Sequence, residues 1–360
     1  MKKLSILADE NIPNLEALCA PWADISCMSG RDIASSDLAG VDVLFVRSVT
    51  KVNAELLSNS NLKFVGSATI GVDHIDMDYL ASRGIGFAHA PGSNANGVVD
   101  YVMSVILDRY DNASLESLTM GVVGHGNVGS RLARCLRHFS INHIIYDPLF
   151  SPCMDEFSRT DSPADKFVET IDDIMASDII SLHVPLTLAG NHPTHHLFDD
   201  TRLSRLAKNT LFINSSRGPV VNNMALKKLL VERGDLTIAL DVWEGEPSID
   251  LELLPLCDTA TPHIAGYSLD GKLRGTSAIV SAALHHLNLT PPIAREEKDL
   301  KFLTDFKTID DYREALSSIY SAKKESELFK QKMRESNKPA ASFDAYRKSY
   351  PARSEINYDR

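Results

Sequence analysis

The 360-residue chain is 44% hydrophobic and 24% charged, which are ordinary values for a globular protein with room for two cores and an extension. Its formal net charge of −11 argues against non-specific binding to nucleic acid. Its five cysteines form no CxxC pair, and no apolar segment is long enough to span a membrane or to act as a secretory signal. We therefore expect a cytoplasmic protein with no nucleic-acid partner and no membrane contact.

Short apolar runs alternate with helical segments through the first ninety residues. Strands are predicted at 4–8, 25–28, 43–46, 63–65 and 84–88, and helices at 14–19 and from 53 to 57. This alternation is typical of a doubly wound parallel sheet. Because ligands bind beyond the carboxyl ends of parallel strands, Arg47, Ser48 and Thr69, in the loops after two of these strands, are predicted to face a cleft.

A long helix predicted at 94–110 leads into a second α/β segment. An apolar strand at 120–123 runs into Gly124-His125-Gly126-Asn127-Val128-Gly129, and an amphipathic helix and a strand at 143–146 follow. In this context the glycines form a dinucleotide-binding fingerprint, because they permit a tight turn and bring pyrophosphate to the helix amino terminus. The residues predicted to bind the cofactor are Gly124, Gly126, Asn127, Val128 and Gly129. The alternative is a glycine-rich turn in another kind of α/β protein.

Asp147 follows the second strand of this fingerprint. Its carboxylate can accept hydrogen bonds from an adenosine ribose, and it would repel a 2′-phosphate. Neither Pro148 nor Leu149 supplies a cation to receive such a phosphate. The predicted cofactor is therefore NAD rather than NADP.

The rest of the chain completes two domains. After an irregular connection at 151–169, a short helix is predicted at 172–175, strands at 178–184, 210–213 and 236–240, and a helix at 223–232. The last long helix, at 268–287, is long enough to return to the first sheet. We predict an α/β protein with two doubly wound, Rossmann-like parallel-sheet domains and a cleft between them, formed by residues 1–93 with 264–290 and by residues 94–263. Residues 291–360 are predicted to be a helix-prone extension that packs on the body or on a second subunit, with a mobile segment from 337 onward.

Several polar residues near the ends of second-domain strands have side chains suited to hydride-transfer chemistry. Arg217 offers a planar fork of donors for a substrate carboxylate. His263 can accept a hydroxyl proton near neutral pH, and Glu246 can pair with it and stabilise the imidazolium. Asp241, at a strand end, can hold the carboxamide of a nicotinamide.

Each of these residues also has a purely structural interpretation. The arginine could form a surface ion pair, and the histidine could be a satisfied loop residue. His192, His195 and His196 invite a metal site, but no nearby Cys or Glu-x-x-His spacing accompanies them. No metal is therefore predicted.

Four segments together resemble the D-isomer-specific 2-hydroxyacid dehydrogenases. They are 124–129 (Gly-His-Gly-Asn-Val-Gly), 214–218 (Asn-Ser-Ser-Arg-Gly), 241–247 (Asp-Val-Trp-Glu-Gly-Glu-Pro) and 261–264 (Thr-Pro-His-Ile). The resemblance implies NAD-dependent oxidation of a 2-hydroxy acid. It implies Arg217, Glu246 and His263 as the catalytic trio, with Asp147 and Asp241 in contact with NAD.

Further segments narrow the resemblance to a member of that family that acts on a small phosphorylated 2-hydroxy acid. They are 8–11, 46–53, 241–247 and 263–268. This similarity implies that Ser48, Thr69 and Tyr267 contact the substrate and that Gly266 contacts the cofactor. A looser likeness at 343–348 implies a homodimer formed through the extension.

Arg47 is the clearest cation for the substrate phosphate at a first-domain strand end, because charge-assisted hydrogen bonds from a guanidinium are strong. The alternative for this residue is an ion pair with Asp9 or Glu10.

Two alternatives for the whole chain stay open. One is another D-2-hydroxyacid dehydrogenase, acting on phosphoglycerate or on hydroxypyruvate and glyoxylate. The other is a non-catalytic NAD(H)-sensing scaffold. The extension lacks a βαββαβ regulatory pattern, which disfavours a regulated phosphoglycerate enzyme.

Overall fold

The computed structural model describes residues 3–150, 165–290 and 301–359. By their contacts the described residues form two compact units, one of residues 3–94 and 268–290, the other of residues 95–150, 165–267 and 301–359. None of the described helices is long and apolar enough to cross a membrane. Most of the connection predicted at 151–169 lies outside the described residues.

Short strands and helices follow one another along the chain. In order, the strands are β1 Leu4–Asp9, β2 Ala23–Met28, β3 Val43–Val46, β4 Phe64–Ser67, β5 Gly86–His89, β6 Thr119–Val123, β7 Asn142–Tyr146, β8 Lys166–Phe167, β9 Ile179–Leu182, β10 Leu211–Asn214, β11 Thr237–Leu240, β12 Thr259–Ala260, β13 Lys301–Phe302 and β14 Ile356–Asn357. The α-helices are α1 Leu15–Cys19, α2 Met77–Ser82, α3 Ala95–Arg109, α4 Asn112–Ser117, α5 Asn127–His138, α6 Asp200–Ser204, α7 Asn223–Glu232, α8 Leu269–His286, α9 Ile309–Ile319, α10 Ala322–Glu335 and α11 Pro339–Ser349.

The first unit is built on a parallel five-stranded sheet in the order β2-β1-β3-β4-β5. The β3 strand is buried at all four positions, as expected where both faces of a parallel sheet are covered. Ile279 and Ala283 lie one turn apart on α8 and share an apolar core with Ile6 and Phe45 of the sheet. The long helix predicted at 268–287 therefore packs on the first sheet.

The second unit is built on a seven-stranded sheet in the order β12-β11-β10-β9-β6-β7-β8, in which all neighbouring strands are parallel. β6 lies between β9 and β7, so the winding of the chain reverses at β6, the position where doubly wound folds bind nucleotides. Leu132 of α5 and Val102 of α3 belong to one core, and Leu226 of α7 belongs to another. The predicted fold class, two parallel α/β sheets, is confirmed.

Some local predictions differ from the structure. The helix predicted from 53 is wrong: residues 53–59 form turns, in which Asn53 Oδ1 accepts the Leu56 amide at 3.0 Å. A hydrogen bond from a nearby backbone amide to an Asn side chain competes with the helical hydrogen bonds, and here it favours a turn. The two-residue strands β8 and β12 were not predicted, because two residues carry no periodicity.

The extension folds with the second unit. Its described part contains α9, α10, α11 and a two-stranded parallel sheet of β13 and β14. The expectation of a mobile segment from 337 onward is wrong for the residues described there, since Phe343, Ile356 and Tyr358 are fully buried. These apolar side chains are scattered among charges, so their pattern did not predict a core.

Candidate active site

The glycine loop between β6 and α5 has the shape that a dinucleotide needs. Gly124 has φ +94, and a Cβ there would lie 2.6 Å from the carbonyl oxygen of His183. A Cβ on Gly129 would lie 1.9 Å from the Gly124 carbonyl oxygen, so only glycine allows this packing of helix against turn. A Cβ on Gly126 would meet no atom of the described residues within 4 Å. The amino terminus of α5, which begins at Asn127, is therefore open to a pyrophosphate.

Asp147 stands at the end of β7 beside this loop. One carboxylate oxygen accepts the His125 amide at 2.7 Å, and the other accepts the Leu149 amide at 2.9 Å. Each carboxylate oxygen has a second lone pair, so the group can still accept a ribose hydroxyl. The arrangement fits the predicted role in selecting NAD, which stays a prediction.

His263 and Glu246 form a hydrogen-bonded pair, as predicted. His263 Nδ1 lies 2.8 Å from Glu246 Oε2, and Glu246 Oε1 accepts the Trp243 amide at 2.9 Å. Because Nδ1 faces a carboxylate, Nδ1 carries the hydrogen and Nε2 is left as the proton acceptor. Burial acts to raise the pKa of Glu246, but the facing His263, together with Arg347 and the Trp243 amide, lowers it below the ordinary value. Glu246 is therefore held as a carboxylate.

Asp241 anchors the loop that carries His263. Its side chain is 1% exposed; Oδ1 accepts the Thr261 hydroxyl at 2.7 Å and the Ile264 amide at 2.8 Å, and Oδ2 accepts the Ala265 amide at 3.0 Å. Burial raises the pKa of Asp241, whereas the charge of His263 and these hydrogen bonds act in the opposite direction. The sequence did not predict this anchoring role. A contact with the nicotinamide carboxamide stays a prediction.

Arg217 follows β10 in a turn fixed by hydrogen bonds. Asn214 Nδ2 donates to the Arg217 carbonyl at 3.0 Å, and Asn214 Oδ1 accepts the Ser216 amide at 3.1 Å. The next residue, Gly218, lies so close to the Trp243 backbone that a Cβ would be 1.9 Å from its carbonyl oxygen. The loop of Arg217 therefore packs against the loop that leads to Glu246.

The loops that carry Arg217, Glu246 and His263 follow three neighbouring strands of the second sheet. Arg217 follows β10, Glu246 follows β11 and His263 follows β12, and these are neighbouring parallel strands. The carboxyl ends of neighbouring parallel strands lie at one edge of a sheet, where ligand sites form. The catalytic roles of the three residues stay predictions.

The predicted substrate residues of the first unit lie at one edge of their own sheet. Arg47 and Ser48 follow β3, and Thr69 follows the adjacent strand β4. The Thr69 hydroxyl lies 2.6 Å from the Ser67 hydroxyl, which in turn lies 3.0 Å from His74 Nε2. The Thr69 side chain is thereby fixed in orientation. Contact of Arg47, Ser48 and Thr69 with a substrate stays a prediction.

The histidine-rich loop forms a structural cluster. The His195 and His196 rings are stacked with centroids 4.0 Å apart, and His196 Nε2 lies 2.7 Å from Glu244 Oε1. Candidate donor atoms of these three residues lie within 4.8 Å of one another. Glu244 Oε2 also accepts the Asn223 amide at 2.7 Å, so both carboxylate oxygens are engaged within the chain. The absence of a metal here stays a prediction.

The extension contributes contacts that sequence reasoning missed. Arg347 Nη1 lies 4.0 Å from Glu246 Oε2, and the Tyr350 ring meets the Tyr267 ring edge-on with centroids 6.1 Å apart. Tyr267 and Gly266 follow His263 in its loop, so the end of α11 borders that loop on its carboxyl side. Arg347 lies in segment 343–348, which resembles a dimerisation extension, but nothing in that pattern indicates a contact with Glu246.

The arrangement combines a guanidinium, an oriented imidazole and a carboxylate with a dinucleotide loop. The guanidinium can bind a carboxylate, and the imidazole can take a proton from a hydroxyl. The dinucleotide loop, at the same edge of the same sheet, can bind a nicotinamide nucleotide. These are the needs of a dehydrogenase that oxidises a 2-hydroxy acid.

Comparisons with known proteins agree with this chemistry. Residues 103–265 match the family model described as D-isomer specific 2-hydroxyacid dehydrogenase, NAD binding domain. The chain is 43% identical to an erythronate-4-phosphate dehydrogenase of Stutzerimonas stutzeri, over 98% of this chain and 93% of the relative. It is 41% identical to the enzyme of that name from Shewanella loihica, over the same shares of both chains.

Solved structures agree on the fold. D-lactate dehydrogenase from Aquifex aeolicus, in complex with NAD and lactic acid, matches with a TM-score of 0.61 at 24% identity, over 81% of this chain and 100% of that one. The full-length relatives, at 41–43% identity, show the family as well as the fold. The chain belongs to the D-isomer specific 2-hydroxyacid dehydrogenase family and, within it, to the erythronate-4-phosphate dehydrogenases.

Proposed function

We propose that this protein catalyses the NAD-dependent oxidation of 4-phospho-D-erythronate at C2 to (R)-3-hydroxy-2-oxo-4-phosphooxybutanoate. The step belongs to the biosynthesis of pyridoxal 5′-phosphate, vitamin B6. Full-length relatives named for this activity support the proposal. The observation that carries it is the 2.8 Å contact of His263 with Glu246, in loops beside that of Arg217 and in the sheet that carries the NAD-binding loop.

The glycine loop and Asp147 hold the cofactor in this proposal. Gly124, Gly126 and Gly129 admit the pyrophosphate, with the backbone of Asn127 and Val128 at the amino terminus of α5. Asp147 would accept hydrogen bonds from the adenosine ribose, and Asp241 and Gly266 would hold the nicotinamide end. NAD, when bound, supplies the acceptor for the hydride that leaves C2 of the substrate.

Side chains of the protein bind the substrate carboxylate and transfer the proton. Arg217 binds the substrate carboxylate through its guanidinium fork. His263 Nε2 takes the proton of the C2 hydroxyl, and Glu246 stabilises the imidazolium that forms. Replacement of His263 by Ala removes this general base and lowers kcat by roughly two to four orders of magnitude.

The remaining substrate groups are assigned to the first unit and to Tyr267. Arg47 binds the phosphate, and Ser48, Thr69 and Tyr267 bind the rest of the substrate. We also propose a cytoplasmic homodimer, in keeping with the likeness of segment 343–348 to a dimerisation extension.

Turnover with a panel of 2-hydroxy acids tests the proposal. The formation of NADH is followed with 4-phospho-D-erythronate, D-erythronate, D-3-phosphoglycerate, D-glycerate and glycolate, each with NAD and with NADP. The expected result is the highest kcat/KM for 4-phospho-D-erythronate with NAD, and a kcat lowered by roughly two to four orders of magnitude in His263→Ala. A preference for phosphoglycerate or glycolate would assign the chain to another dehydrogenase. NAD binding without turnover of any acid would indicate a scaffold.

A further inference from the structure

Glu246 faces two cationic side chains rather than one. Its Oε2 atom accepts a hydrogen bond from His263 Nδ1 at 2.8 Å and lies 4.0 Å from Arg347 Nη1. Its Oε1 atom accepts the Trp243 amide at 2.9 Å. The carboxylate is thus fixed at both oxygens, and the oxygen that serves His263 is shared with a guanidinium.

Arg347 is held in this position by the packing of α11. Phe343, one turn earlier on the same face, is fully buried, and the Arg347 guanidinium lies over its ring, 6.0 Å from the centroid. The Arg347 side chain is only 23% exposed. Its Nε atom is buried and has no hydrogen-bond partner among the described residues. The guanidinium is therefore directed into the protein, toward Glu246.

The two cations differ in one respect that matters. The guanidinium is charged at every working pH, whereas the imidazole is charged only when protonated. Among the described residues, the charges of His263 and Arg347 act on Glu246, and the charge of His263 also acts on Asp241. The permanent positive charge of Arg347, beside the shared oxygen, adds to the effect of His263 and helps to keep the pKa of Glu246 low.

We propose that Arg347 is a positioning residue of the dehydrogenase site, which keeps Glu246 ionised and directed at His263 and disfavours protonation of His263 in the resting enzyme. An enzyme that oxidises an alcohol needs its base unprotonated before the reaction. A substrate with a carboxylate and a phosphate would favour the imidazolium, and Arg347 opposes that effect. The proposal rests on the function proposed above, and it gives the extension a part in the chemistry of its own chain.

The test compares variants that separate charge from packing. Arg347→Met keeps a long unbranched apolar side chain and removes the charge, Arg347→Gln removes the charge but keeps a donor, and Arg347→Lys keeps the charge. Lys348→Met is the matched control, since Lys348 is exposed on the same helix and is the next residue. For each variant, kcat/KM with 4-phospho-D-erythronate and NAD is measured against pH. The ring of His263 is titrated by carbon NMR, with His263→Asn to assign the signal.

The neutral variants should behave alike. Loss of one neighbouring charge shifts a pKa by about 0.5–1 unit in a partly buried site. Arg347→Met and Arg347→Gln should therefore move the acid limb of the profile and the NMR titration of His263 upward by that amount. Arg347→Lys should restore the wild-type profile within about 0.3 unit, and Lys348→Met should leave it unchanged.

Other outcomes would overturn the inference. An unshifted profile with a raised KM for the phosphorylated substrate would make Arg347 an anion-binding residue. A loss of kcat without a shift, which Lys does not restore, would make it a packing residue. If Arg347→Met does not fold, as judged by circular dichroism, Arg347→Gln decides. A wild-type protein that fails to oxidise 4-phospho-D-erythronate would refute the proposed function, while the NMR titration would still decide the role of Arg347.

Discussion

Arg353 and Asp100 form a buried ion pair that joins the last residues of the extension to α3. Arg353 Nη1 lies 3.1 Å from Asp100 Oδ2, and neither side chain is more than 7% exposed. Arg353 Nη2 also donates to the carbonyl oxygens of Gly97 and Ala265, at 2.8 and 2.9 Å. Ala265 lies two residues after His263. The same guanidinium therefore ties the extension both to a core helix and to the loop of the proposed base.

Removal of this cation should destabilise the second unit. Burial raises the pKa of Asp100 and Arg353 opposes that rise, so Arg353→Met leaves a buried carboxyl without its cation. We expect a loss of about 3–5 kcal/mol in the free energy of unfolding, measured with urea. Arg205→Met is the control, because its ion pair with Asp172 is exposed and contributes about 0–1 kcal/mol. Equal losses in the two variants would contradict the structural role of Arg353.

Much of the sheet architecture could be predicted from the sequence because it depends on local signals. Buried parallel strands appear as short apolar runs, and Arg217 and Glu246 come after two such runs, β10 and β11. Since the carboxyl ends of parallel strands lie at one edge, their order along the chain already indicated a site. His263 follows β12, whose two residues were not predicted as a strand, so its contact with Glu246 was expected only from the chemistry of the two side chains and from the family resemblance.

The contributions of the extension could not be predicted in this way. The contact of Arg347 with Glu246 depends on α11, which is placed by the burial of Phe343 against Phe329 of α10. The pair of Asp100 and Arg353 joins residues 253 positions apart. Such contacts have no sequence period, and the dense charge of the extension obscured the few aromatic residues that anchor it.

Glu246→Gln should move the pH dependence of the reaction in the direction opposite to Arg347→Met. The amide cannot stabilise an imidazolium as the carboxylate does. The acid limb of kcat/KM for alcohol oxidation should then shift by about 1–2 units to lower pH, and kcat should decrease. The profile is measured from pH 5 to pH 10 with saturating NAD. An unshifted acid limb would indicate that Glu246 has only a structural role.

Asp147→Ala should weaken NAD binding and relax the discrimination against NADP. Loss of a hydrogen bond from the ribose to a carboxylate costs about 1.5–3 kcal/mol, or roughly 10–150-fold in Kd. The repulsion of a 2′-phosphate disappears with the charge, so Kd for NADP should decrease. Asp147→Asn is the matched variant, since it removes the charge and keeps an acceptor for the His125 or Leu149 amide. Fluorescence titration with both nucleotides measures the change, and a wild-type protein that binds NADP as tightly as NAD would refute the assignment.

Arg47→Ala should raise KM for a phosphorylated substrate more than KM for its unphosphorylated counterpart. Arg47 and Ser48 lie after β3, beside the loop of Thr69, at the edge of the first sheet where ligands are expected. If the guanidinium binds the phosphate, KM for 4-phospho-D-erythronate should rise roughly 10–150-fold, because one charged hydrogen bond contributes about 1.5–3 kcal/mol. KM for D-erythronate should change little. Lys51→Ala, an exposed cation in the same loop, is the control and should affect neither substrate strongly. An equal rise in KM for both substrates would mean that Arg47 supports the fold, for example through an ion pair with Asp9 or Glu10. The phosphate would then bind elsewhere.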